Sequence, residues 1–177
     1  MQLTSKSGRV ITLRPPQAGD EQILFDYAKA LEAENTYVLL NPDFPVTYQE
    51  EVDYLRSILR RLEAHWQVMY LAFAGEVLIG SCQINVQGRR KMHVGSFGIS
   101  LLKEYRRDGL GEQLAKLVIG EAIKQLHVTL ITLEVFEGNL AADNLYRKLG
   151  FVDYGRLPQG LHYQGHFQDA LYLYLKV

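Results

Sequence analysis

Tyr105-Arg106-Arg107-Asp108-Gly109-Leu110-Gly111 stands between an apolar, strand-like run from Val94 to Leu102 and a helical run from Glu112 to Leu126. A strand, a short basic loop with two glycines and a helix start, in that order, aim backbone N–H groups at one spot. This is how main chain binds phosphate. Gly109 and Gly111 lack a Cβ, so the chain can turn tightly and approach a ligand closely. Arg106 and Arg107 add positive charge beside them. A plain turn with two solvated arginines shares these features, because glycine spacing alone is a weak signal. Residues on either side decide between the two.

Upstream, Arg9–Arg14 alternates and is β-rich, and Pro15 and Pro16 end it. Asp20 to Asn35 carries apolar residues at helical spacing, with Asp20 as its N-cap. Thr47 opens a second helix, and Glu50 three residues later completes a capping box; Val52, Leu55, Leu59 and Leu62 form its buried stripe. Val68–Phe73 and Val77–Val86 read as a hairpin joined at Ala74-Gly75-Glu76. Downstream, Leu130–Val135 is nearly continuous in apolar residues, as a strand covered on both faces would be. Asn139–Lys148 is a helix capped by Asn139 and stopped by Gly150. Phe151–Arg156 is a strand, Leu157–Gln164 a glycine-containing loop, and Phe167–Val177 a final alternating strand. The order β-α-α-β-β-β-α-β-α-β-β predicts an α/β domain over residues 1–177. Its mixed sheet has helices on both faces.

Composition narrows the function classes. A chain of 177 residues, 47% hydrophobic and 22% charged, is long enough to bury a real core. Its net charge of −1 offers no global field for nucleic acid, and no apolar run approaches a membrane span. Met1–Lys6 lacks a signal-type apolar region, and Cys82 is the only cysteine, so a reducing cytoplasm is the expected compartment. Cys82 reads as a small core residue. His162 and His166 lie in the glycine-broken loop and read as something other than metal ligands.

Three residues after the central loop are candidates to carry chemistry. Glu134 lies between Leu133 and Val135, where a carboxylate is costly unless paired or used; burial would suit it to accept a proton near neutrality. Asn139 follows the strand end, and Tyr146 lies two helical turns farther on, on a face shared with Ala142 and Asp143. A tyrosine hydroxyl beside a departing thiolate is a proton donor. Each also has a plain structural reading: an exposed strand end, a helix cap and a core aromatic.

The run from Leu133-Glu134-Val135 through Asn139 and Tyr146 to Gly150-Phe151 resembles the second signature of the GNAT superfamily of N-acetyltransferases. Arg106, Gly109 and Gly111 resemble its first, Gln/Arg-x-x-Gly-x-Gly/Ala. Thr12-Leu13-Arg14-Pro15 and the last strand resemble the ends of that domain, so the likeness covers nearly the whole chain. It implies a single-domain, mostly antiparallel sheet of six or seven strands with a splayed central pair. It implies acetyl-CoA as acetyl donor, with the backbone of Arg106, Arg107, Asp108, Gly109, Leu110 and Gly111 on the pyrophosphate. Ile99, Leu101 and Leu102, at a strand end splayed by a bulge, would pair with the pantetheine. Asn139 and Ala142 would lie on the cofactor arm, Tyr146 would protonate the leaving thiolate, and Glu134 would be the general base.

Two departures from the pattern stand out. Arg107 replaces a usual glycine, and Ser96 in His93-Val94-Gly95-Ser96 replaces a glutamate common among relatives. The reading is therefore an enzyme acetylating a primary amine of a small molecule or a peptide N-terminus, with no metal. A homodimer is left open, as is a non-catalytic acyl-CoA sensor or scaffold. Glu32, Glu34, Asp43, Glu50, Glu51 and Asp53 would make one wall of the acceptor site acidic, or be plain solvated helix faces.

Overall fold

The computed structural model describes residues 1–177. In chain order it contains β1 (Gln2–Thr4), β2 (Val10–Arg14), α1 (Glu21–Glu34), α2 (Tyr48–Glu63), β3 (Gln67–Ala74), β4 (Val77–Val86), β5 (Val94–Leu101), α3 (Leu110–Leu126), β6 (Leu130–Phe136), α4 (Leu140–Leu149), β7 (Val152–Tyr163) and β8 (His166–Lys176). The strands form one sheet in the order β1-β2-β3-β4-β5-β6-β8-β7. All neighbours run antiparallel except β5 and β6. The expected six or seven strands are eight. The extra one, β1, is three residues long, too short to show an alternating pattern.

Helices cover both faces, and β3 shows why its sequence is almost wholly apolar. Val68 and Ala72 pack into the core under α3, while Met69, Leu71 and Phe73 pack under α1 and α2. The capping box at α2 has both arms: Glu50 N–H donates to Thr47 Oγ1 at 3.3 Å, and Thr47 N–H to Glu50 Oε2 at 2.7 Å. The stripe of α2 sinks deepest at Leu55 and Ile58, with Leu59 and Leu62 half-buried. Asp20 does not cap α1 with its side chain. It is buried against Arg14, whose guanidinium donates to both carboxylate oxygens at 2.6 and 2.7 Å. No helix is long and apolar enough to cross a membrane.

Two expectations give way on the β6–β8–β7 side. The expected loop at Leu157–Gln164 is strand: β7 runs through to Tyr163, absorbs Pro158 and Gly160 as an irregularity between Leu157 and Leu161, and turns at Gln164-Gly165. An edge strand tolerates proline and a bulge. The two turn residues have φ of 48° and 78°, the left-handed pair that a tight hairpin requires. β6 is covered by helix on one face only, and on the other face Phe136 is buried by the rings of Tyr37 and Tyr163. Ile131, Leu133 and Val135 face the α3 core, and α1 and α2 do not reach over the other face.

The sheet opens between β5 and β6. Val94, Gly95 and Ser96 pair with Leu130, Ile131 and Thr132, and pairing then ceases. Beyond that point β5 stays bonded to β4 as far as Leu101, and β6 stays bonded to β8 as far as Phe136. The expected bulge is absent, since the β4–β5 register is unbroken from Gly80↔Leu101 to Val86↔Gly95. At the base of the fork, a Cβ on Gly95 would lie 2.5 Å from Ile84 Cγ2, so only glycine fits there. The fork leaves one backbone edge of Phe97–Leu101 without a strand partner.

Candidate active site

β5 ends at the start of the glycine loop. A 3-10 turn over Lys103–Tyr105 carries the chain into Arg106, and α3 begins at Leu110. Arg107 has φ 61° and Gly109 φ 78°, and these two left-handed residues turn the backbone into the helix. The N–H groups of Arg107, Asp108, Gly109, Leu110, Gly111 and Glu112 have no acceptor within the fold. Six consecutive unpaired donors at the start of a 17-residue helix, where the helix dipole is positive, form an anion cradle. A Cβ on Gly111 would meet only Leu101 and Leu145 side-chain atoms at 3.6 Å, ordinary contact, and its φ is not left-handed. Neither packing nor conformation demands glycine there.

The acidic residue in this cradle is turned away from it. Ser7 donates its N–H (2.8 Å) and its hydroxyl (2.5 Å) to the Asp108 carboxylate, drawing that group below its usual range. The two arginines divide their roles. Arg106 is a strut, donating Nε–H to Leu101 O at 2.8 Å and pairing with Glu34 on α1. Arg107 is exposed and has no carboxylate partner, so its cation is unneutralised beside the cradle in the chain.

Tyr146 comes from α4 to the fork. Asn139 caps that helix, accepting Ala142 N–H at 3.2 Å, and Gly150 ends it with φ 94°. The Tyr146 ring meets Phe97 edge-on at 6.0 Å and Phe151 at 5.8 Å, and the residue is 7% exposed. Phe97 is the first β5 residue past the last β5–β6 pair, so the ring sits at the point where the sheet parts. Burial pushes the phenol far above its ordinary range, with Cys82 adding to the rise, so the hydroxyl keeps its proton at neutral pH. Ala142 packs on the same core, and Ile99, Leu101 and Leu102 line its β5 edge.

Glu134 is a correction. It is exposed rather than buried, because its face of β6 carries no helix. It lies directly across from Tyr172 on β8 and raises that phenol above its ordinary value, chiefly by a polar contact. Tyr146 and Leu133 share the α3 face, so Glu134 and Tyr146 approach the fork from opposite faces of the sheet.

On the Glu134 face, a cleft of about 250 Å³ lies at the end of β6. It is lined by Asn35, Thr36 and residues 38–43 after α1, by Phe136, and by residues 160–165 of the β7–β8 hairpin. Tyr37 and Tyr163 stack at 4.4 Å, and both rings pack on Phe136. Tyr163 OH and Gln164 Nε2 each donate to Asn35 O at 3.2 Å, which fastens the hairpin over the cleft. The acidic wall is mostly used up in structure. Glu32 is held by Lys29 and Val46 N–H, Glu34 by Arg106 and Lys103 N–H, Glu50 by its capping box and Asp53 by Arg56; of the six, Asp43 lines the cleft. His162 packs edge-on against Phe167. The aromatic trio and the Glu34 contacts went unread in the sequence because each joins residues far apart in the chain.

A family model described as the acetyltransferase (GNAT) family matches residues 33–151, more than half of the chain and all of the cradle, β6 and α4. The chain belongs to the GNAT family. The L-amino acid N-acetyltransferase AaaT of Escherichia coli (strain K12) is 32% identical over 97 residues, 54% of this chain and 60% of that protein. The chain spans about six-tenths of the length of the curated relatives it matches. A GNAT-family acetyltransferase from Streptococcus pneumoniae superposes with a TM-score of 0.78 at 25% identity, covering 94% of this chain and 99% of that one. YncA from Salmonella typhimurium, solved with its cofactor acetyl-CoA, gives a TM-score of 0.78 over 94% of this chain and 93% of that one; at 17% identity it shows a shared GNAT fold.

Proposed function

We propose that this chain is an acetyl-CoA-dependent N-acetyltransferase that carries an acetyl group to the primary amine of a small molecule or of a peptide N-terminus, in one ternary complex. The observation that carries the reading is the run of unpaired N–H groups from Arg107 to Glu112, set beside a β5 edge that the fork leaves free.

The residues fit the cofactor. The cradle and the Arg107 cation suit a diphosphate, and the open edge of Phe97–Leu101 suits an extended amide-bearing arm pairing as a strand would. Bound acetyl-CoA supplies an activated thioester. Every other task falls to the chain. Unpaired donors on the β5 edge are placed to polarise a carbonyl oxygen. Tyr146, protonated at neutral pH, donates a proton to sulfur from the α3 face. Glu134 takes a proton from the amine on the other face, directly or through water. Acid and base therefore work through the fork from opposite sides and do not neutralise one another. AaaT is named for L-amino acids, and the small cleft bounded by Leu40, Phe136 and Tyr163 supports an acceptor of that size or a peptide end.

The test is amine-dependent thiol release from acetyl-CoA against a panel of amino acids, polyamines and short peptides. Tyr146→Phe removes one hydroxyl and little packing, so turnover should fall by roughly ten- to ten-thousand-fold with acetyl-CoA affinity nearly unchanged. Thiol release independent of every amine, or full activity in Tyr146→Phe, would overturn the assignment. Tight acetyl-CoA binding with no transfer to any amine would instead favour a sensor.

A further inference from the structure

We infer that Glu34 is a positioning residue joining the cofactor loop to the acceptor cleft, so that acetyl-CoA held at α3 orders the cleft for the amine. This rests on the acetyltransferase reading and adds to it a residue and a direction of coupling.

Glu34 is the last residue of α1, and its side chain is 16% exposed. A carboxylate there meets the negative end of the helix dipole, and the last turn of α1 holds no basic residue to offset it. Local helix energetics therefore disfavour it. Its contacts across the fold explain it. One carboxylate oxygen accepts Lys103 N–H at 2.7 Å, and the other pairs with the Arg106 guanidinium. Arg106 in turn donates to Leu101 O. A single carboxylate thus holds the segment between the free edge of β5 and the amide cradle at two points.

The next residue carries the path to the other substrate. Asn35 adopts the left-handed conformation, φ 41° and ψ 55°, while its N–H closes the helix onto Glu32 O at 2.9 Å. Its carbonyl is the acceptor for both Tyr163 and Gln164 at the hairpin tip. Arg106, Glu34, Asn35 and Tyr163 therefore form one continuous polar chain from the cradle to the stacked Tyr37–Tyr163 pair. A second tie keeps the helix in step with the strand: Tyr27, two turns earlier on α1, hydrogen-bonds Ser100 Oγ at 2.8 Å on the free half of β5. Diphosphate on the cradle restrains residues 103–106, and Glu34 passes that restraint to Asn35 and the hairpin. By linkage, an amine in the cleft tightens acetyl-CoA by the same factor.

Amide hydrogen exchange with and without acetyl-CoA tests this without an identified acceptor. In the wild-type chain acetyl-CoA should slow exchange at residues 107–112, and also at residues 36–43 and 160–165, the latter by about fivefold or more, the low end of ordinary coupling factors. In Glu34→Gln the protection at 107–112 should remain and the protection of the cleft should vanish. The readout is a ligand-dependent change, so a uniform loss of stability would not imitate it. Should Glu34→Gln not fold, Tyr163→Phe combined with Gln164→Ala cuts the chain at its exposed end and should abolish the same response at residues 36–43. Cleft protection that survives these changes, or that is missing in the wild type while 107–112 is protected, overturns the role of Glu34 and leaves the cofactor reading standing. No protection at 107–112 overturns both.

Discussion

Arg107→Gly should stabilise the apo protein. Arg107 holds φ 61° with a Cβ, exposed to solvent and without an ion-pair partner to repay the strain. A left-handed conformation costs an L-residue about 1–2 kcal/mol. Glycine removes that cost but adds unfolded-state entropy, offsetting about 0.4–1 kcal/mol. The difference centres near 0.8 kcal/mol in favour of the variant, which for a chain of this size is a rise in Tm of about 2–3 °C. Arg107→Ala supplies the control. It removes the same cation but keeps the Cβ, so its stability should stay within about 0.5 kcal/mol of wild type, the range of an ordinary surface change. Acetyl-CoA affinity should respond to charge and not to strain. Both variants should lose it to the same severalfold extent, with the loss shrinking at high salt. Thermal unfolding of the three proteins, apo and with acetyl-CoA, reads both quantities. A lower apo Tm in Arg107→Gly, or equal Tm values in the glycine and alanine variants, would refute the strain argument.

Glu134→Gln keeps the shape of the side chain and removes its charge; if Glu134 is the base, activity at neutral pH should fall and the acid limb of the pH–rate profile should disappear or move, with partial recovery at high pH where more amine is neutral. A profile identical to wild type would return proton removal to solvent. Glu51 is buried, and desolvation together with Glu32 and Glu50 raises its carboxyl above the ordinary value. Folding therefore favours its protonated form, and the stability linked to it is present below the unfolded value of about 4.3 and lost as pH rises through the raised folded one. Glu51→Gln should melt higher than wild type at pH 7 and level with it at pH 4, and a lower Tm at pH 7 would mean that the carboxylate makes a net favourable contact.

The parts of the site that were legible in the sequence are those whose chemistry is local. The glycine loop entering α3, the Thr47–Glu50 capping box, and Asn139 and Gly150 at the two ends of α4 each depend on a few neighbouring residues. Glu134 shows where such reading stops. Its apolar neighbours predict burial, but exposure depends on how far α1 and α2 reach across the sheet, and their contacts fall on β3, β4 and, through Tyr27 and Ser100, β5. Leu157–Gln164 misleads for a related reason. Proline and glycine mark a loop unless the strand lies at an edge, and the position of β7 at the edge is a property of the whole topology. The double use of Glu34 is readable only in three dimensions, because its partners lie about seventy residues away.

Backbone amide resonances followed during titration with acetyl-CoA give the most direct check on the cradle. At one equivalent the largest shifts should fall on Arg107–Glu112, the next on Phe97–Leu101 along the free edge of β5, and Gly111→Leu should abolish them while its apo spectrum stays folded. Saturable binding that moves other amides and leaves Arg107–Glu112 unchanged would contradict the site.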